Sequence, residues 1–425
     1  MRAALWLLAL FAVAVAAALF VGNNQATVTL FWAPHRVDLS LNLVLLLVLG
    51  AFLLLHVALR TLGALFAMPE LAQRWRVQYR ERSLFSALVD AQLHQYAGRF
   101  IRARKAALAA LQQEQALSGS GETLADALRV RALGHALAAE ASHALQDKAT
   151  RDEHLRLALE HPLPRSAQEV SEGVQMRAAR WALDDRDVNT AMERLEALPQ
   201  GAARRTLALR MRLKAARMGG QTSLALETAR LLAKHRAFSE GAARSLLRGL
   251  AQELLNAAYD PEQLLRAWGQ LDSEEQQLPD VALHAAQRLQ SLEGDVEQVL
   301  QWVLPVWERL LLTPFEFSES QRVKMVQVLE SGLKAAPYAL GTQWLARVEN
   351  AHRHQPNDAN LQYLAGMVCV VHQLWGKGQQ LLELAVPGLT DANLKRRAWC
   401  ALALLAEQRS DVAAMHAAYR QAASL

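Results

Sequence analysis

The chain has 425 residues, a hydrophobic fraction of 52% and a formal net charge of only +5. So balanced a charge argues against a nucleic-acid partner. Two lone cysteines, Cys369 and Cys400, exclude a disulfide framework and a cysteine-rich zinc module, and abundant Ala and Leu with sparse Gly and Pro favour helix.

Two uncharged apolar runs open the chain. Ala3–Val21 carries no polar side chain, and Leu39–Leu59 carries only Ser40, Asn42 and His56. At about 1.5 Å of rise per residue each makes a helix of about 30 Å, the thickness of a bilayer core. Residues 1–60 therefore read as a two-helix transmembrane hairpin with a short loop at 22–38. Small residues at Ala16–Ala18 would also suit signal-peptide cleavage. A basic start of one Arg and a second span close behind favour retention. Within the loop, Thr27–Leu30 and Val37–Ser40 alternate around a turn at Ala33–Arg36, which fits a small β-hairpin or a floppy polar loop.

Basic residues crowd the exit of the second run: Arg60, Arg74, Arg76, Arg80, Arg82, Arg99, Arg102, Arg104 and Lys105 meet only Glu70, Glu81 and Asp90. Cations flanking spans stay on the cytoplasmic side. The expected topology is two spans with cytoplasmic N- and C-termini and the short loop outside, periplasmic in a bacterium. A basic juxtamembrane helix is expected over 61–83, with Pro69 predicting a break ahead of Leu71–Arg82. There Arg74, Trp75, Arg76, Arg80 and Arg82 mix cations with aromatics, as in a helix lying on anionic membrane lipid. A solvated connector is the alternative.

From residue 84 onward the apolar spacing is helical, punctuated by short Gly, Pro, Asp or Asn signals. Degenerate tetratricopeptide-like copies follow one another. Gly98-Arg99-Phe100 precedes Ala103, Ala107 and Ala110. Arg186-Asp187-Val188, Met218-Gly219-Gly220 and Glu293-Gly294-Asp295 mark later turns. Gly366, Trp375, Gly378, Leu382 and Ala385 make another copy, and Trp399, Leu402, Ala403, Tyr419 and Ala422 the last. The fold class is all-α: a transmembrane hairpin followed by a helical-repeat solenoid. The expected arrays are 84–270 and 280–425, with a change of superhelix around Asp272–Asp280. Asp260-Pro261 should start a helix, while Leu304-Pro305 and Thr313-Pro314 imply breaks. Solenoids expose long binding grooves and usually bind proteins.

Chemical motifs are sparse. Gly119-Ser120-Gly121 follows no strand, and Leu124 stands where a dinucleotide loop needs its third glycine. His135 and His143 share a helix face, and His352 and His354 flank Arg353, but neither spacing is a metal-ligand signature. Trp181, Trp268, Trp302, Trp307, Trp344, Trp375 and Trp399 suit gaps between repeat helices better than a groove for a flat ligand. Hence no catalytic or metal residue is expected, and residues for a cofactor such as heme or porphyrin stay unassigned.

The stretches Asn24–Ser40 (NQATVTLFWAPHRVDLS), Arg74–Arg82, Leu93–Ala110 (LHQYAGRFIRARKAALAA) and Leu374–Leu384 (LWGKGQQLLEL) give the chain a likeness to known proteins over nearly its full length. It resembles the HemY-type proteins of proteobacterial heme biosynthesis. That resemblance implies an inner-membrane tetratricopeptide protein acting in a late step of protoheme formation. It carries over no catalytic residue. The implied role is a non-enzymatic scaffold whose repeat groove holds late heme-pathway enzymes at the bilayer. A heme- or porphyrin-binding carrier is the alternative within that pathway. A flavin-dependent protoporphyrinogen oxidase shares the family's name but needs an N-terminal GxGxxG after a strand, which this chain lacks. Membrane-tethered tetratricopeptide adaptors of lipopolysaccharide assembly share the plan, but their regulator's paired CxxC motifs cannot come from Cys369 and Cys400.

Overall fold

The computed structural model describes residues 11–19, 22, 25–119, 126–160, 168–336 and 338–425. It divides into two compact units, Met1–Ala167 and Gln168–Leu425.

In the first unit, β1 (Thr27–Trp32) and β2 (His35–Ser40) form an antiparallel hairpin with Trp32 opposite His35 and Thr27 opposite Ser40. The alternating loop of the sequence is thus a β-hairpin, turned at residues 33–34. Ser40 then caps α1 (Leu41–Tyr96), its hydroxyl accepting from the Leu43 amide. Helix α1 is 56 residues long. Its Leu41–Gly63 portion has a mean hydropathy of 2.6 and is long and apolar enough to cross a membrane; it is the one such helix among the described residues. The first apolar run lies largely outside the described residues, and of it residues 11–19 are helical. Of the expected two-helix transmembrane hairpin, the described residues hold one membrane-length helix.

Pro69 does not break α1. A proline removes one main-chain donor and crowds the preceding turn, and here the hydrogen-bonded turns on either side carry the helix through. The basic segment 74–82 is thus continuous with the span. After α1 come α2 (Phe100–Gly119), α3 (Ala127–Ala144) and α4 (Lys148–Leu159). Leu84, Leu88 and Ala91 of α1 pack with Ala107, Ala110 and Leu117 of α2 and with Val130, Leu137 and Ala138 of α3. Alanines at these positions let the axes approach closely, and the leucines fill the gaps.

The second unit continues the plan. Its helices are α5 (Gln168–Asp184), α6 (Val188–Glu196), the short α7 (Gln200–Ala203), α8 (Thr206–Met218), α9 (Thr222–Lys234), α10 (Glu240–Asn256) and α11 (Pro261–Gly269). There follow α12 (Ser273–Gln276), α13 (Pro279–Ser291), α14 (Val296–Leu312), a 3-10 turn at Pro314–Glu316, α15 (Glu319–Ala335) and α16 (Tyr338–His354). Last come α17 (Ala359–Val371), α18 (Trp375–Gly388), α19 (Ala392–Gln408) and α20 (Val412–Ala423). First helices of successive hairpins pack on one another: α5 on α8, α10 on α13, α13 on α15, α15 on α17 and α17 on α19.

One turn recurs through the hairpins. A residue with φ near +60° follows the first helix at Gly98, Gln146, Arg186, Gly220, Glu293, Gln373 and Ser410. The next amide then bonds back to the helix, as Asp147 to the Ser142 carbonyl, Asp187 to Ala182 and Asp411 to Ala406, each at 2.8–2.9 Å. These are Schellman closures, which satisfy carbonyls that the helix end would leave bare. Asp147, Asp187 and Asp411 also cap the second helix of their hairpins. Close packing inside a hairpin is clearest in α17 and α18. A Cβ on Gly366 would meet Leu382 at 2.8 Å, and one on Gly378 would meet Val370 at 2.9 Å.

Residues 270–280 are stitched to both sides. Arg230 of α9 reaches Glu275 at 2.6 Å and Asp272 at 3.1 Å. Asp280 accepts from Arg248 of α10 and from Gln321 of α15. A single buried cluster runs from Leu209 to Ala418. As expected, Asp260 caps α11 with Pro261 in its first turn, and Pro314 opens the turn after α14. Pro305, where a break was expected, lies inside α14. That helix also buries Trp302, Val303, Val306 and Trp307 around it, packing that holds it together despite the lost donor.

Candidate interaction surface

The face built by successive first helices in the second unit carries a polar site. Helix α15 supplies Glu330 from an otherwise apolar run (Val326, Val328, Leu329, Leu333), and its side chain is 1% exposed. A buried carboxylate must be compensated, and three partners do so. The Tyr363 hydroxyl of α17 donates to Oε2 at 2.8 Å, Arg397 of α19 donates to the same oxygen at 3.1 Å, and Lys334 donates to Oε1 at 2.6 Å. Burial, followed by the neighbouring carboxylate, pushes the Tyr363 phenol well above its ordinary range. Tyr363 is therefore a fixed donor. Arg397 and Lys334 remain about half-exposed, so the network presents two positioned cations to solvent.

A cleft of about 440 Å³ opens on the same helices, lined by Glu319, Val323, Lys324 and Gln327 of α15 and by Thr390 and Asp391 before α19. Glu319 is held by Asn360 at 2.9 Å and Thr390 at 3.1 Å. Fixed charges of both signs, a cleft and a rigid helical floor can recognise a polar segment of another protein by hydrogen bonds and ion pairs. Nothing in this arrangement pairs a nucleophile with a base.

The first unit holds a second buried carboxylate. Glu114 of α2 takes a two-pronged contact from Arg131 of α3, at 2.7 and 3.1 Å, and a hydroxyl bond from Ser118 at 3.0 Å. Beside it, His135 meets His154 of α4, Nδ1 to Nδ1, at 3.0 Å. Burial, then the charges of His154 and Arg131, lowers the His135 pKa to about 4. His135 thus pairs across to α4, while His143 contacts Arg151 at 3.2 Å instead. His354 contacts the Asn350 carbonyl of its own helix. Among the described residues, no three His, Cys, Asp or Glu side chains converge as metal ligands would.

Most of the tryptophans lie in the core. Trp307 meets Trp344 edge to face at 6.1 Å, Trp268 stacks on Trp302 at 4.5 Å, and Trp181 is buried. Trp375 is half-exposed at the start of α18. The residues expected at a membrane surface all lie on α1. Arg74, Trp75, Arg76 and Arg82 are exposed, and Arg80 donates to the Ala116 carbonyl of α2 at 3.3 Å. Neither buried carboxylate network stood out in the sequence. Its one signal is a lone Glu inside an apolar helical face, at Glu114 and at Glu330. Gly119 closes α2, and the rest of the Gly-Ser-Gly stretch lies outside the described residues.

Residues 26–146 match the family model described as HemY protein N-terminus. No curated protein matches the chain. Similar solved structures include the Naa15/Naa10 complex bound to HypK-THB (14% identity over 78% of this chain, TM-score 0.25) and yeast Tom70 (13% over 72%, TM-score 0.29). The P58(IPK) TPR domain is a third (11% over 77%, TM-score 0.22). This chain spans 57% and 60% of the first two and 99% of the third.

Proposed function

Starting from a chain whose residues 26–146 are HemY-type, we propose that it is a membrane-anchored, non-enzymatic adaptor in a late step of protoheme biosynthesis. One observation carries this reading: α1 is both the membrane-length helix and the first helix of the repeat array. Whatever the array binds is then held beside a bilayer, and tethering raises its local concentration enough for weak contacts to suffice. Such an arrangement would let poorly soluble porphyrin intermediates pass between enzymes held together at the bilayer.

In this reading two spans hold the chain in the inner membrane of a bacterium, with both termini cytoplasmic and residues 22–38 periplasmic. Arg74, Trp75, Arg76, Arg80 and Arg82 lie nearest the anionic lipid headgroups. The protein-binding arrays are 84–270 and 280–425, and both the cleft at Lys324 and the Glu330 network that presents Arg397 belong to the second. Affinity capture of the full chain from detergent-solubilised membranes tests the reading. Recovery of a late heme-pathway enzyme is expected, with capture weakened at least tenfold by the Lys324→Glu and Arg397→Glu pair. Recovery of none above background contradicts it.

A further inference from the structure

Helix α1 buries one face and leaves most of the other unpartnered, with Val89 at its edge, where it also lines a cleft with Val130 and Leu133 of α3. Val77, Leu84 and Ala91, seven residues apart, turn into the first unit's core. On the opposite side Trp75 is 66% exposed, Tyr79 63%, Val89 58%, Leu93 58% and Tyr96 82%. Large apolar side chains so exposed along one face mark an interaction site. Their spacing is more specific than that. With Arg82 and Ser86 between them, they occupy positions 75, 79, 82, 86, 89, 93 and 96, an unbroken alternation of four and three. Period 3.5 is the seam of a two-stranded supercoil, whereas a face following the 3.6-residue helix drifts away from it.

We propose that α1 is a self-association element, and that two copies of this chain pair in parallel along this stripe. The occupant follows from the anchor. Because the stripe lies on the same helix as the membrane-length Leu41–Gly63 portion, a second copy in the same bilayer presents its own stripe at the same height and in the same direction. Three heptads is short for a supercoil formed in free solution. Confinement to one membrane surface supplies the effective concentration that the length does not. The flanking positions also permit self-pairing. Of Arg76, Gln78, Ser83, Phe85, Asp90 and Gln92 only two are charged, and with opposite signs. Arg82 and Ser86 are the two polar members, and Arg82 is the less favourable, since two guanidinium groups would meet within the seam. Polar seam residues sacrifice stability and fix register.

The pairing rests on the anchor of the proposed function but not on the groove, and one experiment separates them. The full chain is expressed with Cys369→Ala and Cys400→Ser, membranes are isolated, and copper-phenanthroline is added. Val89→Cys is expected to give a disulfide-linked dimer, and Arg74→Cys, off the seam, is expected to give at least tenfold less. Adding Leu93→Glu should cut the Val89→Cys dimer at least tenfold. Adding Arg82→Leu should increase it, a gain that no misfolded variant produces. A Val89→Cys yield no higher than that of Arg74→Cys, or cross-linking of Val89→Cys only to a different protein, overturns the pairing. Should that happen with the chain in the membrane pellet, the pairing fails and the anchor stands; a chain in the soluble fraction removes the anchor itself.

Discussion

Replacing Glu330 probes how the binding face is built. Two of its three partners, Lys334 and Arg397, are half in water, so each ion pair is worth no more than about 1 kcal/mol. Glu330→Gln keeps an acceptor for the Tyr363 hydroxyl and loses only the charge, so it should cost about 1–2 kcal/mol. Glu330→Ala also strands a buried hydroxyl and opens a cavity. Its expected cost is about 3–5 kcal/mol. The double variant Glu330→Met with Tyr363→Phe removes the polar partners together and should be near neutral, because packed apolar groups replace a buried ion pair well. Tryptophan fluorescence during urea unfolding of the full chain in detergent reads these differences, since Trp307 and Trp344 are buried in the same cluster. Equal losses for the Gln and Ala variants would refute the reasoning, because the charge alone would then hold the face. A double variant as damaging as Glu330→Ala would refute it too.

Other consequences concern packing and protonation. Gly366→Ala improves intrinsic helix propensity by about 1 kcal/mol, yet its methyl would meet Leu382 at 2.8 Å. Overpacking should win, lowering the thermal midpoint by several degrees, and a raised midpoint would show that α17 and α18 can separate freely. His135 titrates near 4 in the folded chain against about 6.5 in an unfolded one. Its folded pKa is the lower, so the unfolded state takes up protons first on acidification. The contribution of His135 to the stability of the first unit is therefore full above pH ~6.5 and is lost as pH falls toward ~4. Glu114, Arg131, Glu153 and His154 surround the ring. His135→Gln should flatten thermal midpoints measured across that window, and an unchanged slope would assign the acid sensitivity to other groups.

Much of this architecture was legible in the sequence, and particular residues show why the rest was not. The membrane-length helix at Leu41–Gly63 and the β-hairpin announce themselves, because unbroken hydropathy and alternation are local signals. Gly98 and Gly220 advertise their turns, since glycine adopts positive φ without a Cβ clash. Gln146, Gln373 and Ser410 adopt the same conformation without that signal, held there by the packing of the two helices they join. Pro69 and Pro305 read as breaks because propensity is a local quantity, whereas the surrounding helix and core decide whether one lost bond matters. Glu330, Tyr363 and Arg397 meet across 67 residues, a separation that no periodicity encodes. The exposed stripe from Trp75 to Tyr96 sat within a pattern dominated by its arginines. Only the placement of Leu84 and Ala91 in the core shows which face of α1 is left over.

The central proposal is that the repeat array holds late heme-pathway enzymes at a membrane. A photo-crosslinking amino acid placed at Lys324, exposed on the rim of the cleft, and activated in intact cells tests it most directly, with the same probe at Leu312, exposed at the end of α14, as the reference. The account predicts that mass spectrometry identifies a late heme-pathway enzyme attached at Lys324 and not at Leu312. Attachment at both positions to the same background proteins, or at Lys324 only to lipopolysaccharide-assembly components, would contradict it.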